Sequence, residues 1–258
     1  MSSHSPFPPR DGPARPQRRR LLAAGALWPL AATAADAAPA EPAVPVYPTR
    51  LPGPAELSYD LSYGMLSGRG RLHWQPPVGG RYRLHMAGGA LGLKLLSWAS
   101  EGGVDAAGLA PLRFAEQRLT RPEQVVEFHR EAGLIVFPAK PGAETRLLPG
   151  TQDKLSWLVQ LPAILRAGPA LQAPGTRITL YVTGARGDVD RWSFVVQGPV
   201  LLPLADGRSV QTLHLRRQPA RPSDLQGEAW LDPALEHLPV RVRLAKGDGG
   251  DVLEFRLR

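Results

Sequence analysis

Basic side chains recur at two-residue spacing on either side of one glycine-rich turn: Arg69, Arg71 and His73 precede Pro76 to Gly80, and Arg83 and His85 follow it. Alternate positions of a strand share a face, so a hairpin here sets five basic side chains in one row. With Trp74 opposite Tyr82, His73 faces Arg83, Arg71 faces His85 and Arg69 extends the row. Like charges directly opposite one another destabilise a sheet. A stripe kept despite that cost suits the capture of phosphate or carboxylate through arginine forks. The competing reading is a solvated outer face whose charges are spread by twist or paired with Glu and Asp of neighbouring strands.

Other chemistry-bearing residues are dispersed. The chain has no cysteine, which excludes thiol catalysis, Cys-based metal ligation and a lipid-modified cysteine. His129, His214 and His237 stand apart, with no metal-ligand spacing among them. Asp188 and Asp190 read as turn residues rather than calcium ligands. Ser156 follows Lys154 and Leu155, which is not the Ser-x-x-Lys order of a serine–lysine acylase, and no nucleophile elbow, P-loop or dinucleotide fingerprint occurs. Arg241 and Arg243 can pair with Glu254 across strands that also carry Arg256 and Arg258. No cofactor is expected, and the expected role is non-enzymatic.

The elements that must position these residues are mainly strands. Leu57, Tyr59, Leu61 and Tyr63 alternate with polar residues, as do Leu72 and Trp74, then Tyr82, Leu84 and Met86. Further strands are expected at 93–100, 111–119, 123–129, 133–137, 176–183, 190–197, 199–204, 208–217, 226–231, 238–246 and 251–257. Around fourteen short strands imply a large curved antiparallel sheet, a sandwich or a barrel. One segment departs from the alternation. Between residues 151 and 167, Leu155, Leu158, Val159, Leu161, Ile164 and Leu165 recur at helical spacing, with Thr151 as N-cap and Gly168-Pro169 as stop. Pro162 should kink this helix or divide it. The fold expected is thus a mainly β domain over 55–258: a large curved antiparallel sheet or partly open barrel wrapping one central helix. Trp157 and Leu158 of the helix, with Trp74, Tyr82, Met86, Trp98, Trp192, Phe194 and Trp230, then either fill a core or line an apolar cavity.

The N-terminal region speaks of export. A polar stretch ends in Arg18-Arg19-Arg20-Leu21-Leu22 and runs into an apolar segment, Leu21 to Ala35, which is followed by Ala-x-Ala sites ending at Ala34 and Ala37. Residues 1–37 are therefore expected to be a cleavable signal, resembling the twin-arginine type, with the general secretory route as the alternative. The run is too short for the roughly 20 residues of a spanning helix, and no integral membrane span is expected. Residues 38–54, rich in proline, read as an extended linker, either tether or tail. Of the net charge of +8, the signal accounts for +3, because it holds five arginines and two acids; the rest carries +5. A basic, periplasmic, soluble protein favours an anionic partner such as a lipid or another envelope component, and export argues against nucleic acid.

The order of features resembles the domain of unknown function 3108 family of bacterial exported proteins. The resemblance rests on the opening strand Leu57 to Tyr63 running into Gly64 to Gly70. It rests also on Gln152-Asp153-Lys154-Leu155-Ser156, and on the closing hairpin from Ala229-Trp230-Leu231-Asp232-Pro233 to Leu238-Pro239-Val240-Arg241. It covers most of residues 56–258. It implies an exported β-rich domain and, by analogy of fold, the half-barrel of periplasmic lipoprotein carriers, with no catalytic residues to transfer. The function expected is a binding or carrier module for an anionic amphiphile, its apolar groove beside a basic rim. The alternatives are a hydrolase acting on envelope glycan or lipid, and an assembly partner that binds protein through an exposed sheet edge.

Overall fold

The computed structural model describes residues 44–258, apart from Thr120, Arg186, Asp188, Ala205 and Asp248. The expected signal and the first residues of the linker lie outside the described residues.

Eight strands come first: β1 (Ala55–Tyr63), β2 (Leu66–Val78), β3 (Arg81–Ala90), β4 (Leu93–Asp105), β5 (Gly108–Arg118), β6 (Gln124–His129), β7 (Leu134–Val136) and β8 (Glu144–Arg146). A two-residue strand β9 (Gln152–Asp153) leads into the helix α1 (Trp157–Ala167). Then come β10 (Arg177–Thr183), β11 (Val189–Pro203), β12 (Ser209–Gln218), β13 (Leu225–Asp232), β14 (Leu238–Lys246) and β15 (Val252–Leu257). All fifteen strands form one sheet, in the order β8-β7-β6-β5-β4-β3-β2-β1-β15-β14-β13-β12-β11-β10-β9. It is a meander whose first and last strands pair in the middle, antiparallel throughout except for β9 against β10. The two edge strands, β8 and β9, are consecutive in sequence and have only three and two residues. A sheet edge this short gives a partner strand little to pair with.

The helix occupies the inside of the curve. Trp157 to Leu165 are all buried, so α1 is covered on every side rather than along one stripe. Its one polar core side chain, Gln160, replaces a missing strand: Oε1 accepts from the Leu109 N–H at 2.8 Å and Nε2 donates to the Ala107 carbonyl at 2.6 Å. Gln152 Nε2 donates to the Leu109 carbonyl from the other side. Gly108 makes this possible, because its φ is +100° and a Cβ there would lie 2.5 Å from Gln160 Oε1.

Several expectations need correction. The helix starts at Trp157 and not at Thr151; its N-cap is Ser156, which makes no side-chain cap bond, and in the turn that leads into it Asp153 Oδ1 accepts from the Leu155 and Ser156 N–H groups at 2.8 Å. Leu155 is apolar because it is buried, not because it is helical. Pro162 sits within a single continuous helix and does not divide it. Segments 190–197 and 199–204 are one strand, β11, with a register shift between Val196 and Gly198. Beyond Pro45 the expected tether is extended, as its prolines require, but it is strapped to the domain. Arg50 N–H donates to the Ala163 carbonyl at 2.9 Å, Trp74 Nε1 to the Pro52 carbonyl at 3.1 Å, and Thr179 N–H to the Tyr47 hydroxyl at 3.1 Å. Arg166 closes the strap, bonding the Arg50 and Leu51 carbonyls and pairing with Glu236.

Candidate anion-binding groove

The basic hairpin is present, in a different register from the one expected. Gly79 and Gly80, at φ +61° and +80°, make a two-residue turn, so β2 continues through Pro76 and Pro77 to Val78. An irregularity between Gln75 and Val78 completes the shift, and Trp74 pairs with Leu84 rather than Tyr82. On the outer face His73 therefore opposes His85, Arg71 opposes Ala87, and Arg69 opposes Gly89. Arg71 does not face His85, nor His73 Arg83.

This register makes a groove. Across the outer face one row reads Ser58, Arg71, Ala87, Ser97 and the next reads Asp60, Arg69, Gly89, Lys94. Long side chains on β2 and at the start of β4 flank two positions on β3 that carry almost none. The resulting cleft has a volume of about 700 Å³; Arg69, Arg71, Lys94 and Arg258 border it, and Gly68, Gly70, Gly88 and Gly89 form its floor. The floor is bare for a reason on the inner side as well: a Cβ at Gly70 would lie 2.8 Å from the Phe255 ring, and one at Gly88 2.6 Å from Leu61. Gly70 and Gly88 thus answer to core packing, while Ala87 and Gly89 leave the outer face between the flanking rows bare.

The groove is electropositive with partial neutralisation. Arg71 pairs with Glu56 at 3.0 Å and Arg258 with Asp60 at 3.3 Å, both in exposed positions where such pairs are weak and exchangeable. Lys94 Nζ donates to Gln117 at 3.2 Å. One row away, His85 approaches Ser97 Oγ at 3.1 Å. Partial burial holds its pKa below the usual histidine value, and the charges of Lys94 and His73 add to the effect.

The family model for proteins of unknown function designated DUF3108 matches residues 58–256. The chain belongs to the DUF3108 family. A solved β-barrel-like protein of another domain of unknown function, DUF1849 from Brucella abortus, aligns at 15% identity and a TM-score of 0.49, covering 81% of this chain and 97% of that one. No curated protein matches the sequence.

In this DUF3108 chain the expected site residues separate. Arg69 and Arg71 border the groove, and His73 and His85 form the adjoining row. Arg83 lies a row further on, beside Glu101 and Gln75. Trp157 and Leu158 are 1% and 2% exposed on the opposite, inner side of the sheet, with Trp157 stacked on Phe194 at 5.1 Å. They belong to a filled core, which corrects the idea of one apolar groove shared with the basic rim. Lys94 and Arg258 were not foreseen; the Gly88-Gly89 pair inside an alternating strand was the signal that a bare patch lay between them.

Two further polar clusters are tied into the fold. Ser100 donates to Asp153 Oδ2 at 2.5 Å and contacts the Tyr82 hydroxyl at 2.9 Å. Burial raises the Asp153 pKa to about 6, against the lowering effect of its hydrogen bonds from Ser100, Ser156 and Leu155. A carboxyl with that pKa suits acid–base chemistry, but Asp153 is fully enclosed and no second carboxylate acts on it. On the outer face of β12 to β15, His214 stacks on Trp230 at 4.4 Å and Arg241 covers Trp230 at 4.3 Å. Glu254 binds Arg241 across strands at 2.9 Å, as expected, and Arg256 within its own strand at 3.3 Å, while Glu228 binds His214 at 3.0 Å and is, in place of Glu254, the partner of Arg243 at 3.1 Å. Among the described residues no three His, Asp or Glu side chains converge in a way that could hold a metal ion, and no helix is long and apolar enough to cross a membrane.

Proposed function

We propose that this DUF3108 chain is an exported, non-enzymatic binding module that holds the anionic head of an envelope amphiphile on the outer face of its sheet. The observation that carries this reading is the glycine-floored groove with Arg69, Arg71, Lys94 and Arg258 on its rim. Bare backbone gives room for a headgroup, and arginine forks supply charged donors in a geometry that matches phosphate or carboxylate. The twin-arginine-like N-terminus and the basic excess support the same reading. The packed interior favours the outer face over an acyl chain held inside the curve.

Native mass spectrometry of the chain purified gently from the cell envelope, followed by solvent extraction, tests it. A stoichiometric anionic amphiphile that is lost in Arg69→Glu/Arg71→Glu is the expected result. A clean apo mass that does not change on incubation with envelope lipids contradicts it.

A further inference from the structure

Apolar side chains crowd the hairpin tips directly in front of this groove. In the antiparallel order β6-β5-β4-β3-β2-β1, the β1–β2, β3–β4 and β5–β6 connections lie along one rim of the sheet. On that rim Met65 is 102% exposed and Leu91 is 91% exposed, with Leu93, Leu119, Leu66 and Tyr63 exposed beside them. The described residues of the four remaining β-hairpin tips on the same rim, in 137–143, 184–188, 219–224 and 247–251, carry no exposed large hydrophobic side chain. Single exposed apolar residues such as Val78 and Val104 on the opposite rim need no explanation, but a group of six on three neighbouring tips does.

Leu91 adds a second, independent observation. It occupies a two-residue turn with Gly92, and its φ is +52°. That conformation suits Gly or Asn and is strained for a leucine. The strain serves no packing, because the side chain points into solvent. A local outlier of this kind at an exposed tip is a place to look for a contact with something outside the chain.

We infer that these tips dock on the surface of an anionic lipid bilayer, with Met65 and Leu91 inserted at the acyl boundary and the groove at headgroup level. The inference rests on the anionic-amphiphile reading and adds where that amphiphile is met. Charge and depth fit the occupant. Leu91, Gly92 and Leu93 line the same cleft as Arg69 and Lys94, so the apolar and cationic surfaces are continuous. Two strand residues separate Leu91 from the Arg69–Gly89–Lys94 row and four separate it from the Arg71–Ala87 row, about 7 Å and about 13 Å. Interfacial side chains enter a leaflet by roughly 5–10 Å, which sets the first of these rows among the phosphates. Arg118 and Arg121 flank Leu119 on the same rim; the acids nearby are Asp60, paired with Arg258, Glu116, beside Arg118, Glu123, paired with Arg113, and Asp251, against Gly64.

The test is flotation of the full chain with vesicles of phosphatidylglycerol and phosphatidylethanolamine, compared with phosphatidylcholine alone. In parallel, binding of dihexanoyl-phosphatidylglycerol is measured below its micelle concentration. Wild type should float with the anionic vesicles only. Met65→Ser/Leu91→Asn should lose about tenfold or more of vesicle binding while still binding the soluble lipid. Asn accepts the left-handed turn, so an unchanged melting temperature confirms that this variant is folded. Arg69→Glu/Lys94→Glu should lose both activities. Soluble-lipid binding without vesicle binding, or vesicle binding indifferent to the tip variant, overturns the docking inference and leaves the groove reading intact; failure of both assays in wild type overturns both.

Discussion

Asp153 receives a 2.5 Å hydrogen bond from Ser100, and through it the turn that starts the central helix is fixed to β4. The carboxylate also accepts from the Leu155 and Ser156 N–H groups, so one buried side chain holds the turn that leads into α1 and anchors it to the sheet. Its pKa, raised to about 6 from an ordinary 3.8, means that burial of the charge outweighs the hydrogen bonds that favour it. The native state binds this proton more tightly than the unfolded chain does. Its contribution to stability is therefore fully present below 3.8 and is lost as pH rises through about 6. Asp153→Asn should remove that slope from the pH dependence of chemical unfolding. Asp153→Ala should destabilise by about 2–4 kcal/mol at any pH, because it leaves two buried N–H groups and Ser100 without their acceptor.

Gln160 stands in for a strand against β5, and replacing it isolates that function. Gln160→Leu keeps the volume but strips the Leu109 N–H and Ala107 carbonyl of their partners, at a cost of about 2–4 kcal/mol. Gly108→Ala should destabilise to a similar extent, since the new methyl meets the same amide in a backbone conformation that disfavours it. Urea unfolding of the two variants checks this, and a double variant should lose less than the sum.

How much of this was legible follows from which interactions are local. Alternation along Leu72, Trp74, Leu84 and Met86 marked the strands because a half-buried strand leaves that trace in sequence. The helix boundary was not legible. In 151–156 burial on every side makes apolar and turn residues look like helix, and the tertiary bond from Ser100 that fixes Asp153 leaves no trace in the local pattern. The basic residues of β2 and β3 were legible as a set, but their pairing depended on Gly79-Gly80 rather than the whole Pro76–Gly80 segment making the turn. Lys94 and Arg258 come from distant parts of the chain and reach the groove only through the β3–β4 and β1–β15 pairings.

The strap over Tyr47 to Gly53 depends on Arg166, which bonds two of its carbonyls and pairs with Glu236. Arg166→Ala should release this segment with a loss of about 1–2 kcal/mol. Limited proteolysis should then cut within residues 44–54 while the remaining domain stays folded; a strap equally protected in the variant contradicts this role.

His85 reports on the groove. Its pKa is lowered by burial and by Lys94 and His73, so an anion bound across the Arg69 and Arg71 rows should raise it. Ring-proton titration by NMR, with and without a soluble anionic lipid, should show an upward shift on binding. In Lys94→Gln the free protein's value should move up as well.

The most direct test of the central claim is calorimetric titration of dihexanoyl-phosphatidylglycerol into wild type, Arg69→Glu/Arg71→Glu and Trp157→Phe. An outer-face groove predicts saturable one-to-one binding that weakens about tenfold or more in the arginine variant, through lost charge-assisted hydrogen bonds, and is unchanged in the core variant. Binding that is indifferent to both arginines, or that fails only when Trp157 is altered, contradicts an outer-face site and places the ligand elsewhere.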